Sequence, residues 1–336
     1  MYELAKLKDK ERELIFRNTA NKMKVNEAII EKDFWVVLVL DYLFNKSKFK
    51  KAFTFKGGTS LSKGYSLIKR FSEDIDLILD WTVFSIPENE PYENRSNTQQ
   101  NRYNQEINKK AATFIKNTLL EEIKSGIGDL LGFDVDMECD KTEENIIVFK
   151  YPRLYSNDSI LNTIRLEFGP LAAWTPSEDI KVSPYINDYY PNVMNQSFSE
   201  VLTVKPIRTF WEKATILHHE AYRPSSSKIP DRYSRHYYDL YMMSKGMPLD
   251  DLLEDIDLLD KVVEFKKKFY PRGWARYDLA KIGELKLVPD QYRIDELQKD
   301  YKAMQDMLFG DRPSFKEIMD SLRELEKQIK GRTSIK

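Results

Sequence analysis

Residues 55–80 read FKGGTSLSKGYSLIKRFSEDIDLILD, and both the fold and the chemistry follow from this stretch. Ala52–Lys56 is a short apolar run suited to a strand, and Gly57-Gly58-Thr59-Ser60 closes it. The next segment has the length of a helix and leads into a second β run carrying Asp74 and Asp76. Strand side chains alternate between faces, so Asp74 and Asp76 point the same way while Ile75 turns into a core. Two carboxylates on one strand face repel each other unless a cation neutralises them. Hard oxygen donors of this kind suit magnesium, which is commonly held by one or two carboxylates together with substrate phosphates. The glycine pair lets backbone approach an anion closely, and the start of the following helix offers unpaired N–H groups and a positive dipole end. A phosphate cradle one helix away from a metal-binding pair points to triphosphate chemistry.

The pair of motifs resembles the G-G-[ST]…[DE]-x-D signature of the polymerase-β-like nucleotidyltransferases. The longer string K-G-G-T-S-L-S-K…R-F-S-E-D-I-D-L resembles the AbiEii/AbiGii branch, the toxin side of type IV toxin–antitoxin and phage-abortive systems, which is similar to the MenT toxins. The resemblance runs from about residue 28 to 329 and implies an α/β (α+β) architecture. A palm with a mixed sheet would occupy residues 1–204, with the N-terminal helices, and a mainly helical domain residues 205–336. A palm of this kind needs a third carboxylate beside the Asp-x-Asp strand. In Asn162–Phe168, NTIRLEF, apolar Ile164, Leu166 and Phe168 alternate with Thr163, Arg165 and Glu167, and Glu167 is the candidate. Asp134 and Asp136 form another Asp-x-Asp, but no glycine cradle precedes them and they are read as surface residues.

Two further positions rest on the same resemblance. PIRTFWEKATILHHEAYR, residues 206–223, resembles the family's [RK]-x-x-x-x-E-K block, whose lysine is an active-site residue contacting the nucleotide; here it is Lys213. Arg235-His236-Tyr237-Tyr238-Asp239-Leu240 resembles the family's K/R-D-x-x-D-L string, with His236 in place of the first acid and Asp239 as the second. A mid-helix carboxylate among aromatics requires a partner, because burying it unpaired costs several kcal/mol. A Lys213–Asp239 pair that positions the lysine is the expectation.

Composition bounds the function. The chain has 336 residues, 41% hydrophobic and 32% charged, enough for two domains with sizeable cores. No apolar run reaches the length of a membrane span, and MYELAKLKDKEREL lacks a signal core, so a cytoplasmic location is expected. The single cysteine, Cys139, excludes an internal disulfide and a multi-cysteine zinc site. A net charge of −1 gives no global attraction to nucleic acid, although a local basic patch can supply one.

Along the chain, residues 3–20 and 25–45 read as amphipathic helices, the second with Glu31-Lys32-Asp33 on a solvated side. Trp81–Arg102 reads as a polar loop, Asn104–Lys124 as a helix, and Phe133–Asp136 and Asn145–Tyr151 as a hairpin. Trp174–Ser199 reads as irregular, Val201–Val204 as a strand, and Pro206 as the first residue of a helix. His218 and His219 are adjacent and cannot share a helix face, so one is expected packed and the other exposed. Pro248–Ile329 is helical around PRGWARYDLAKIGELKLVP. The stretch with Lys266, Lys267, Lys268, Arg272, Arg276, Lys281 and Lys286, interleaved with Phe269, Tyr270, Trp274 and Tyr277, suits either an RNA backbone or a solvated helix end.

The expectation is transfer of a nucleoside monophosphate from an NTP to an acceptor hydroxyl. Asp74, Asp76 and Glu167 would hold two magnesium ions, with manganese an alternative, and Gly57, Gly58, Thr59 and Ser60 would hold the outer phosphates. Lys63 and Arg70 are further candidates for phosphate contact. The resemblance favours the 3′ end of tRNA as acceptor, which would block translation, and an antitoxin that acts without a stable complex. A protein hydroxyl or small-molecule acceptor, or a nucleotide-binding protein without catalysis, stays open.

Overall fold

Strand β2 (Asp74–Leu79) lies at the middle of a seven-stranded mixed sheet in a computed structural model of the chain, which describes residues 1–72, 74–157, 160–172 and 175–332. The other strands are β1 (Phe53–Lys56), β3 (Asp136–Cys139), β4 (Ile146–Lys150), β5 (Ile164–Gly169), β6 (Ser177–Val182) and β7 (Ser199–Val204), in the spatial order β3-β4-β5-β2-β1-β7-β6. β2 runs parallel to β5 and antiparallel to β1, and β1 runs parallel to β7, so the expected mixed sheet is observed.

Alternation decides which face does what. Ile75, Leu77 and Leu79 join Phe53, Phe55, Leu166, Phe168, Ile147 and Phe149 on one face, all nearly inaccessible. That face packs on helices α1 (Asp9–Met23), α2 (Glu27–Asp41), α3 (Asn97–Phe114) and α4 (Leu120–Leu131), the last two joined by a π-helical turn over Ile115–Leu119. The opposite face presents Asp74 and Asp76, which therefore stand on the side of the sheet away from the main core.

Several elements differ from their sequence reading. The helix expected at Asn104–Lys124 extends from Asn97 to Leu131, because Ser96 caps it and Gly132 ends it in a left-handed turn. β3 sits three residues later than expected, since Met137 pairs with Phe149 in the register of β4. Residues 174–199 are not irregular throughout: Ser177–Val182 pairs antiparallel with Val204–Ser199 as an edge strand, while Trp174 lies outside the described residues.

Glu31, Lys32 and Asp33 are not on a solvated side either; all are buried. Phe34–Leu40 is apolar over nearly two turns, so α2 has no solvated flank and each of these charges needs a partner. Glu31 accepts the N–H groups of Leu154 and Tyr155 at 2.7 and 3.0 Å, Lys32 Nζ donates to the Leu161 carbonyl at 2.9 Å, and Asp33 accepts from Tyr185 N at 2.7 Å.

The chain divides into two units, Met1–Tyr65 with Phe71–Val204, and Ser66–Arg70 with Lys205–Lys336. The second is mainly helical, built on α5 (Pro206–Ala221), α6 (Arg235–Gly246), α7 (Ile256–Phe269), α8 (Gln291–Ala303) and α9 (Phe315–Gly331).

Candidate active site

In the first unit, β2 and β5 bring the three expected carboxylates onto one face. Asp76 is the registered partner of Glu167 and Asp74 of Arg165, and partners in a parallel pair share a face. Burial first, then the charges of Asp76 and Asp74, push the Glu167 carboxyl up to about 7, with Arg165 opposing. Arg165 Nε lies 3.5 Å from Glu167 Oε1, and its guanidinium also pairs with Asp140 at 2.8 Å and Glu143 at 2.7 Å. Lys56 of β1 is registered with Asp76 from the other side.

The cradle meets the same carboxylate. Gly57 sits at φ +84°, and a Cβ there would fall 1.9 Å from Asp76 Oδ2, so only glycine lets the turn cross over this side chain. The helical turns Gly57–Thr59 and Ser60–Gly64 follow. The Thr59 hydroxyl donates to the Asp74 carbonyl at 2.5 Å and ties the turn to β2, while the Ser60 hydroxyl donates to the Gly57 carbonyl at 2.9 Å and closes the turn on itself. Gly58 is buried within it. Lys63 points inward: its ammonium lies 2.8 Å from Asp33 Oδ1 and 3.4 Å from the centre of the Tyr185 ring, at a side-chain exposure of 6%. Burial pushes the Asp33 carboxyl up and Lys63 pulls it back. The sequence reading missed Asp33 and Tyr185 as the partners that fix Lys63.

The second unit holds a buried charge cluster. Lys213 Nζ on α5 lies 2.7 Å from Asp239 Oδ2 on α6, which is the expected pair. Arg70, read from sequence as a phosphate contact, instead grips Asp239 with Nε at 2.7 Å from Oδ1 and Nη2 at 2.9 Å from Oδ2. Burial alone would raise the Asp239 carboxyl, but Arg70 and Lys213 outweigh it and hold the group well below the usual range. Burial and the nearby Arg70 hold Lys213 below an ordinary lysine, with Asp239 opposing. His236, one turn from Asp239, is held neutral by burial and by Lys213.

His218 and His219 are both buried, contrary to the expected division. His218 Nδ1 accepts from Lys286 N at 3.0 Å and its Nε2 lies 2.9 Å from the Arg276 carbonyl, while His219 pairs with Glu220 at 2.8 Å. In the basic stretch, Lys266 donates to the Glu212 carbonyl, Arg276 pairs with Asp278, Lys281 with Glu284 and Lys286 with Asp290. Arg272 lies 5.6 Å from the Trp274 ring centre.

The family profile of the nucleotidyl transferase AbiEii toxin, type IV toxin–antitoxin system, matches residues 39–321. The chain belongs to the AbiEii nucleotidyltransferase toxin family. That membership implies an antitoxin partner for this AbiEii chain. No curated protein sequence matches it. Among solved structures it is similar to MenT4, a nucleotidyltransferase toxin from Mycobacterium tuberculosis H37Rv, at 15% identity and a TM-score of 0.47, over 96% of this chain and 98% of that one. It is also similar to an H. pylori protein assigned as a nucleotidyltransferase, at 16% identity and a TM-score of 0.45, over 92% and 97%. Among the described residues no helix of this AbiEii chain is long and apolar enough to cross a membrane.

The raised Glu167 carboxyl gives a pH-dependent expectation. Between the ordinary glutamate pKa of about 4.3 and its folded value of about 7, the folded state holds more protons than the unfolded one. The stabilisation from protonated Glu167 is therefore complete below the unfolded pKa and is lost as pH rises through about 7. In chelator-treated buffer, Glu167→Gln should melt higher than the parent at pH 8 and alongside it at pH 4.5. An equal offset at both values would refute the raised Glu167 carboxyl.

Proposed function

We propose that this AbiEii-family chain transfers a nucleoside monophosphate from an NTP to the 3′ end of tRNA, releasing pyrophosphate and blocking translation. The observation that carries the reading is the set of three carboxylates, Asp74, Asp76 and Glu167, on one sheet face beneath a glycine turn that has no room for a side chain.

The donor set fits divalent magnesium: three hard oxygen ligands share a face, and the Glu167 carboxyl, raised by burial first and then by the charges of Asp76 and Asp74, is one whose ionised form a cation would favour. As they stand, no three acidic, histidine or cysteine side chains among the described residues gather closely enough to enclose an ion. Asp74, Asp76 and Glu167 would hold the magnesium, which when bound would neutralise triphosphate charge and lower the pKa of the attacking hydroxyl. The chain's own part is positioning. The backbone of Gly57–Ser60 would bind outer phosphates, with Thr59 and Ser60 keeping the turn rigid through their bonds to Asp74 and Gly57. Arg165 Nε stands 3.5 Å from Glu167 Oε1, and a contact of Lys213 with the nucleotide rests on the motif resemblance alone. The tRNA acceptor rests on the likeness of the motifs to the toxin branch.

The test uses purified protein, magnesium, bulk tRNA and each labelled NTP in turn, with Asp76→Asn as control. The expected result is label on tRNA with one NTP, reduced by several orders of magnitude in the variant. Label on protein, or pyrophosphate without labelled tRNA, would retain the chemistry and discard the acceptor. No NTP consumption under any condition would overturn the reading.

A further inference from the structure

Within the second unit, segment Ser66–Arg70 is anchored by its backbone as well as by the Arg70 side chain. Lys69 N donates to the Tyr238 hydroxyl at 3.3 Å, Phe309 N donates to the Lys69 carbonyl at 3.0 Å, and Arg70 bridges to Leu308. Tyr238 is the residue before Asp239 on α6, so the segment grips that helix at two consecutive side chains. Arg70 is 4% exposed, Asp239 0% and Lys213 7%. An aspartate reaching into a buried space can turn its carboxylate plane about its last torsion. A planar guanidinium bonded to both oxygens fixes that plane, which a lysine, being a point charge, does not. With both Asp239 oxygens on the fork, Oδ2 is also the atom that receives Lys213 Nζ at 2.7 Å.

We propose that Arg70 is a positioning residue for Lys213: its fork on Asp239 sets the carboxylate plane, and the carboxylate in turn sets the ammonium. Arg70 stands four residues before Asp74 and six after Gly64, so the chain between the glycine turn and the acid strand carries the group that aims the lysine of α5. This departs from the phosphate contact that the sequence suggests for Arg70. The guanidinium commits its Nε and Nη2 edge to the Asp239 carboxylate.

The experiment compares the full-length parent with Arg70→Met and Arg70→Lys in two ways. The kinetic arm rests on the nucleotidyl-transfer reading; the labelling arm does not. Misplacing a charge-bearing group by about 1 Å costs roughly 100-fold in rate, so kcat should fall by about that factor while KM for the NTP stays within about threefold. In trace labelling with acetic anhydride read by mass spectrometry, Lys213 should become several-fold more reactive in Arg70→Met. Lys32, buried in the first unit, serves as the internal reference and should be unchanged. Arg70→Lys should behave like Arg70→Met, since the charge is kept and the fork lost, and it replaces Arg70→Met in both arms if that variant does not fold. A raised KM with kcat preserved would make Arg70 a phosphate contact and overturn the proposal. So would unchanged Lys213 labelling, or a parallel rise of Lys213 and Lys32, which would mean general loosening. A parent without transferase activity removes the nucleotidyl-transfer reading, and the labelling arm then decides alone.

Discussion

Gly57→Ala is expected to lower nucleotide transfer by at least about 100-fold, whereas Gly132→Ala leaves it near the parent rate. The two glycines form a matched pair. Gly57 has φ +84° and Gly132 φ +78°, so alanine at either position carries the same left-handed backbone strain, about 1–2 kcal/mol. Their surroundings differ. A Cβ on Gly132, past the end of α4, meets nothing within 4 Å. A Cβ on Gly57 would lie 1.9 Å from Asp76 Oδ2, 2.5 Å from its Cγ and 2.8 Å from its own Cβ. Asp76 is too short to bend out of the way at its tip alone, so the whole carboxylate or the turn must move. The measurement is kcat together with the thermal midpoint for both variants. Equal loss of activity in the two would assign the effect to backbone strain, and full activity in Gly57→Ala would remove Asp76 from the reaction.

The parts of the site built from neighbouring residues were legible in the sequence. Asp74 and Asp76 share a face because alternation is a local property of a strand, and Glu167 fell into line with them because Ile164, Leu166 and Phe168 mark the buried face of β5. The glycine turn followed by the Asp-x-Asp strand selected the family, and the fold it implies then called for Glu167. Elements that exist only through pairing were not legible. β6 carries Glu178, Asp179 and Lys181 and has almost no apolar alternation; it is a strand because β7 offers it an edge. β3 took its register from Met137 against Phe149, which no window of the sequence contains.

Buried charges were the largest omission, and the cause is distance along the chain. Glu31, Lys32 and Asp33 meet partners 123, 129 and 152 residues away, and Arg70 meets Asp239 across 169. One local clue was present. A helix whose next seven residues are FWVVLVL has no solvated side on which to park three charges, so their burial follows from the apolar run rather than from any partner. Lys63 carried no such local clue: Asp33 within 2.8 Å of its ammonium and the aromatic ring beneath it are both supplied by distant segments.

Asp239→Ala is expected to cost about 3–5 kcal/mol of folding free energy, because it leaves two cations in a buried space without their shared counter-charge. Asp239 is fully buried, with Arg70 at 2.7 and 2.9 Å and Lys213 at 2.7 Å, so water cannot replace it. The loss should have a defined pH dependence. The Asp239 carboxyl is depressed in the folded state, so its stabilisation is present above the unfolded pKa of about 4 and is lost only as pH falls below that. Urea midpoints of parent and variant should therefore differ by the same amount at pH 5 and pH 8. A second variant separates stability from function. Replacing all three charges together, Arg70→Met, Lys213→Met and Asp239→Leu, removes the unpaired ions, and substitutions of buried ion groups by apolar residues of similar size are often neutral or stabilising by about 1–4 kcal/mol. The triple variant should regain the parent's midpoint and show no transferase activity. Activity in the triple variant would assign the cluster to folding alone. A triple variant as unstable as Asp239→Ala would mean that shape, rather than charge, holds α5 and α6 together at this point.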